Sequence, residues 1–178
     1  MNIKSRIVSR KALFAYFYQK YFLEYLEERD IIFDDILKVD KLVNWNPVNT
    51  EERQKLKKEI KDMYPLGSWE EDILYIVKNI LSKSDNEKID FEFVSKIIVN
   101  YENNKDEVQT LVDKYAETFK NQEMDIVDRA IFLLGYLERT IIKTPKNLVL
   151  NEMIELAKRY GDEGSYKLIN GIGHKIIV

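Results

Sequence analysis

Asp125-Ile-Val-Asp-Arg-Ala-Ile-Phe-Leu-Leu-Gly135, continuing through Ile142, reads as one strongly apolar helix opened by an aspartate. A carboxylate at that position can accept from the first backbone N–H groups, which have no partner inside the helix. Downstream, Pro145 suits the first turn of a second helix, where its fixed φ fits and its missing N–H is not needed. Gly161 is placed to stop that helix in a left-handed conformation, and a last helix is expected from about Glu163 to Ile176.

The same reading extends upstream. Asp90 offers an N-cap, and Phe91, Val94, Ile97, Ile98 and Tyr101 fall on one stripe. Val108, Leu111, Val112 and Tyr115 continue that stripe beyond the polar Asn103-Asn104, so one long helix or two both fit. Ser68 and Glu71 have capping-box spacing ahead of a helix reaching about Leu81, with Trp69, Ile73, Ile76, Val77 and Ile80 on one face. Asn49 and Glu52 repeat the spacing before a short helix over residues 50 to 64, which Pro65 and Gly67 end. Its Lys55, Lys57, Lys58 and Lys61 fall mostly on the wet side, either as a soluble face or as an added RNA surface. Residues 30 to 47 read as a connector and 82 to 88 as a polar loop. Over residues 3 to 28, Ile3, Ile7, Phe14, Phe17, Tyr18, Tyr21, Tyr25 and Leu26 recur at three- and four-residue spacings, the period of a helix with one buried stripe.

Composition agrees with an all-α class. A chain of 178 residues with 45% hydrophobic and 12% aromatic residues can bury a core, whereas six glycines and three prolines are too few for the turns of an all-β protein. One domain is expected. With no cysteine, disulfides, thiolate zinc sites and cysteine nucleophiles are excluded, and the single His174 rules out paired-histidine metal ligation. No phosphate loop or nucleotide motif occurs. The net charge of −3 argues against coating nucleic acid by bulk electrostatics, so an RNA role needs a local patch. Lys4, Arg6, Arg10, Lys11 and Lys20 all precede the first acidic residue, Glu24, and Arg6 and Arg10, four apart, can face a common phosphate run. Basic residues ahead of Ala12 to Tyr18 imitate a secretion signal, but Gln19 and Lys20 interrupt the apolar run and no cleavage site follows. The chain is expected to be cytoplasmic.

Three stretches of the last third read together: Asp125 to Gly135 with Glu138; Leu148-Val-Leu-Asn-Glu-Met-Ile-Glu-Leu-Ala-Lys-Arg-Tyr-Gly161; and Ser165-Tyr-Lys-Leu-Ile-Asn-Gly171. In order and spacing they closely resemble the C-terminal half of the NusB family of transcription antitermination factors. Arg10 and Ala15-Tyr-Phe-Tyr-Gln19 resemble that family's first helix, and Phe91 to Tyr115 its middle helix. The resemblance implies an all-α bundle of two packed three-helix subdomains, here with an expanded connector and helical insertion over about residues 22 to 88. It further implies a non-enzymatic adaptor with no cofactor that binds boxA-type single-stranded RNA. The implied protein partners are ribosomal protein NusE and, through the antitermination complex, RNA polymerase; whether the chain also forms a homodimer is left open.

Carried over position by position, the resemblance implies RNA contacts at Lys4, Arg6, Arg10, Lys11, Tyr18, Tyr115, Tyr160, Lys167 and Asn170, and partner contacts at Tyr18 and Asp128. Exposed tyrosines can stack unpaired bases, Tyr16 being a further candidate, although helical aromatics usually face the core. Glu138 is either a buried acid tuned for chemistry or the partner of a basic residue, and Asn151 and Glu152 are read as a pair at a helix start. Departures are visible: Ile7 and Val8 interrupt the basic arm, Gly164 stands where an acidic residue commonly precedes the signature serine, and Leu168 replaces an aromatic. These departures and the acidic net charge leave a second reading, a helical protein-interaction module of the same fold that has lost sequence-specific RNA binding.

Overall fold

The computed structural model describes residues 3–29, 67–81, 89–117 and 120–177. All regular structure in these stretches is helical. The expected connector at 30–47, the lysine-rich helix at 50–64 and the loop at 82–88 lie outside the described residues.

The first helix, α1 (Ile3–Arg29), buries Val8, Ala12, Leu13, Phe17 and Tyr21 along one stripe. In its first turns the Ser9 hydroxyl donates to the Ser5 carbonyl at 2.8 Å and accepts the Asp90 N–H at 2.9 Å, fixing where a distant helix begins. The capping box before α2 (Trp69–Asn79) forms as its spacing predicts, Ser68 Oγ accepting from Glu71 N and Glu71 Oε2 from Ser68 N. Ile73 and Ile76 carry the buried face, whereas Ile80 lies past the helix end and is 58% exposed.

The stripe beginning at Asp90 divides into α3 (Phe91–Ile98) and α4 (Tyr101–Tyr115), with a turn at the exposed Val99 and the half-buried Asn100. Asp90 caps α3 by accepting from Phe93 N at 3.0 Å. The apolar face runs through Phe93, Val94, Ile97 and Ile98, and Phe91 is left outside. Period alone cannot separate two phenylalanines two residues apart; the ion pairs around Phe93, described below, do.

Asp125 caps α5 (Ile126–Leu137), accepting from Val127 N at 2.7 Å. Every residue from Ala130 to Glu138 is buried, because α1, α4, the next helix and the last helix all pack around this one. The helix widens into a π turn at Glu138–Ile142 and stops at Lys143, whose φ of 62° is left-handed. Pro145 is the N-cap of α6 (Lys146–Tyr160), one position before the first turn. The expected left-handed stop at Gly161 is not found: its φ is −89° and ψ 178°, extended backbone open to any residue. Close approach explains the glycine instead, since a Cβ there would meet the Ser165 side chain and come within 2.8 Å of the Ala157 carbonyl. The turn into α7 (Ser165–Ile176) is built by Asp162, whose Oδ1 accepts from Gly164 N at 2.7 Å and Ser165 N at 2.8 Å. Those backbone donors hold the exposed Asp162 carboxyl below its ordinary pKa.

Helices α2 and α3 each pack on α1, α5, α6 and α7 pack on one another, α4 packs on α5 and α7, and α1 lies along α5. A single core runs through these helices, and the Phe17 ring of α1 stacks on Tyr101 of α4 at 5.2 Å.

Candidate functional site

Arg6 and Arg10, one helical turn apart, do not present a common cationic face to solvent. Arg6 Nε donates to Asp90 Oδ2 at 2.8 Å and its guanidinium lies 4.2 Å over the Phe93 ring. Arg10 is 6% exposed: its Nε and Nη2 donate to Glu138 at 2.8 and 2.7 Å, and its Nη1 lies 3.3 Å from Glu152. Burial disfavours the Arg10 charge, but the Glu138 hydrogen bonds and the charges of Glu138 and Glu152 outweigh it, so its pKa is raised. The expected phosphate contact at Arg10 is therefore corrected to an internal ion pair. Glu138 is the partner of a basic residue, as one of its two readings held. Asn151 and Glu152 do not start a helix, since α6 begins at Lys146; Glu152 turns toward Arg10 and Asn151 is exposed. Lys4 is exposed and Lys11 half-buried.

Past Arg10 the same i, i+4 row of α1 continues as a row of rings. Phe14, Tyr18 and Phe22 recur every four residues, and Tyr160 at the end of α6 stacks on Phe14 at 4.9 Å. Along the row Phe14 and Tyr18 lie 6.4 Å apart and Tyr18 and Phe22 6.2 Å apart, the latter nearly parallel at 7°. These rings, with Lys11, Val127, Ile80 and Leu81, line a groove of about 540 Å³. Tyr18 and Tyr160 are each 37% exposed there, so the fold brings together three expected site residues, Lys11, Tyr18 and Tyr160. Tyr16 is not among them: it is 6% exposed, and burial, with Asp72, Glu102 and Glu70 nearby, pushes its hydroxyl up to about 12.

A second patch joins α4 and α7. Tyr115, Lys167, Leu168, Gly171 and Lys175 line a hollow of about 340 Å³, with the Lys175 ammonium 5.6 Å from the Tyr115 ring centre. Asn170 is exposed on the same helix. As site residues, Lys175 and, in the groove, Phe22, Ile80 and Leu81 escaped the sequence reading, which set Ile80 on the apolar face of its helix. The signal for two of them was available: Lys167, Gly171 and Lys175 share one helix face, as do Phe14, Tyr18 and Phe22.

Asp128 does not line the groove, although its neighbour Val127 does. It is 5% exposed and its Oδ1 has no hydrogen-bond partner among the described residues. Burial raises its pKa from 3.8 to about 6; Asp125 and Asp162 add to the shift and the Ser165 hydroxyl opposes it. A folded pKa above the unfolded one means that this carboxyl's contribution to stability is complete below about pH 4 and is lost as pH rises through about 6. Asp128→Asn is therefore expected to gain roughly 3 kcal/mol on the parent between pH 4 and pH 8. Urea midpoints of both proteins at the two pH values measure this, and parallel pH profiles would refute it.

Among the described residues no group of three or more His, Asp or Glu side chains is placed to hold a metal ion, and no helix is long and apolar enough to cross a membrane. The chain matches the NusB family model over residues 56–177. It is 32% identical over 97 residues to the transcription antitermination protein NusB of Bacillus mycoides strain KBAB4, covering 54% of this chain and 72% of that protein. The protein of the same name from Fusobacterium nucleatum is 32% identical over 81 residues, 46% of this chain and 53% of that protein. T. maritima NusB has the same fold, with a TM-score of 0.59 at 22% identity over 99% of this chain and 91% of that one. With a family model spanning well over half its length and relatives of this similarity, the chain belongs to the NusB family.

Proposed function

We propose that this chain is a transcription antitermination factor that acts in the cytoplasm, binding boxA-type RNA together with ribosomal protein NusE as part of an antitermination complex with RNA polymerase. The role is that of an adaptor, in which no covalent bond is made or broken. The observation that carries the reading is the exposed aromatic groove on α1, apolar along Tyr18, Phe22 and Val127 and bordered by Lys11 and Tyr160. An apolar trough with a half-exposed tyrosine at its centre fits the anchor-in-pocket pattern of protein interfaces. NusE is the occupant in this reading. RNA then contacts Lys11 and Tyr160 at the groove, Lys4 near the start of α1, and Tyr115, Lys167 and Asn170 at the patch between α4 and α7.

Tyr18→Ala tests the protein half of the reading. Loss of a central anchor is expected to weaken NusE binding about thirtyfold, with little change in thermal stability because the ring is partly exposed. Calorimetric titration with purified NusE decides it; unchanged affinity would remove NusE from the groove. The internal pairing of Arg6 and Arg10 favours the second reading, an interaction module without sequence-specific RNA binding. Selective binding of boxA-type over scrambled RNA separates the two.

A further inference from the structure

With Arg10 buried in an ion pair and the half-buried Arg6 paired with Asp90, an RNA strand needs other cations, since phosphate contacts supply most of the affinity for nucleic acid. The C-terminal end of α6 presents them. Lys158 and Arg159 are both exposed. Lys158 pairs with Glu155 at 2.8 Å, but with side chains 53% and 70% exposed this pair competes with water and yields readily to a phosphate. Arg159 has no carboxylate partner among the described residues; its guanidinium lies 5.5 Å from the Tyr160 ring centre. Cations at a helix C-terminus also complement its dipole, which accounts for their being there but not for an arginine set over a tyrosine that stacks on Phe14.

The surroundings extend the case. Lys158 and Arg159 border a hollow of about 500 Å³ against α1, and Lys11 lines both that hollow and the aromatic groove. Of the acids in the hollow, Glu152 stays engaged by Arg10, and Glu155, its side chain 70% exposed, is left to water when Lys158 turns to a phosphate. Positive charge and an exposed ring thus lie side by side, the combination that holds unpaired nucleotides: cations along the backbone, a π face under the base.

We propose that Lys11, Lys158 and Arg159 contact the phosphates of single-stranded RNA and that one of its bases takes the place of the Arg159 guanidinium over Tyr160, so that the end of α6 takes the part expected of Arg6 and Arg10. This rests on the RNA-binding reading above. The test titrates the full chain, with NusE present, against fluorescent boxA-type and scrambled RNA at about 50 and about 200 mM salt. Lys158→Ala/Arg159→Ala is expected to weaken binding about tenfold or more at the lower salt, by the same factor for both RNAs, with the logarithmic salt slope shallower by about 1.4 for two lost contacts. Arg159→Lys should keep the salt slope yet lose part of the affinity, because an ammonium does not grip a phosphate with two parallel hydrogen bonds as a guanidinium does. Tyr160→Leu should cost about tenfold with the slope unchanged. The proposal is overturned if the parent binds boxA-type RNA and the double variant binds it with equal affinity and slope, or if Lys167→Ala/Lys175→Ala alone abolishes binding. A parent that binds neither RNA overturns the RNA-binding reading and this proposal with it.

Discussion

Glu138→Ala is expected to destabilise the chain by about 3–5 kcal/mol, the cost of leaving a buried charge without its partner. The side chains of Arg10 and Glu138 are 7% and 2% exposed, and two hydrogen bonds of 2.8 and 2.7 Å join them. Removing the carboxylate leaves a guanidinium that cannot lose its proton, with only the more distant Glu152 at 3.3 Å to answer it. For a chain of this size the melting temperature should fall on the order of 10 °C. Replacing both partners, as in Arg10→Met/Glu138→Leu, should restore most of the loss because neither charge then needs solvation. Urea unfolding of the three variants measures both statements; a Glu138→Ala loss below about 1 kcal/mol would mean that water reaches Arg10.

Phe17→Ala is expected to cost about 3–5 kcal/mol. The ring is fully buried, stacks on Tyr101 at 5.2 Å and meets Tyr16 edge-on at 5.8 Å, so its removal opens a cavity where α1 meets α4. The neighbouring Tyr18→Ala should cost less than about 1 kcal/mol, since that ring points into the groove and is 37% exposed. Adjacent aromatics thus divide α1 between a ring inside the core and a ring in the groove proposed to receive NusE. Equal losses in urea midpoint would show that the groove is part of the core.

Local chemistry was readable in the sequence wherever a few neighbouring residues decide the outcome. Ser68, Asp90 and Asp125 all cap helices at the expected places because the acceptor and its donor lie within three residues. The all-helical class followed from the periodic stripes and the scarcity of turn residues. What escaped depends on distant partners. Arg10 reads as a surface cation until Glu138, 128 residues away, is set against it by the end of α5. Phe93 rather than Phe91 faces inward because Arg6 covers its ring while pairing with Asp90. Gly161 looks like a left-handed stop, yet its need is for space beside Ser165, and the left-handed residue is Lys143. The candidate site divided in the same way: spacing placed Tyr18 on α1, but only the packing of α2 and α6 made Ile80, Leu81 and Tyr160 walls of its groove.

Asp128 shows how a partner expectation can change meaning. Its carboxyl is buried at the meeting of the α5 and α7 N-termini, where its titration bears on stability. A direct partner contact would require that junction to open, so the Asp128→Asn pH comparison and a NusE titration of the same variant report on separate roles.

If one adaptor holds RNA and NusE together, as proposed, RNA affinity depends on NusE, and titrations with and without NusE read that dependence. Fluorescent boxA-type RNA is expected to bind more tightly than a scrambled strand and saturating NusE to tighten it roughly tenfold, with RNA raising NusE affinity by the same factor as linkage requires. Equal affinity for both RNAs, unchanged by NusE, would contradict that proposal.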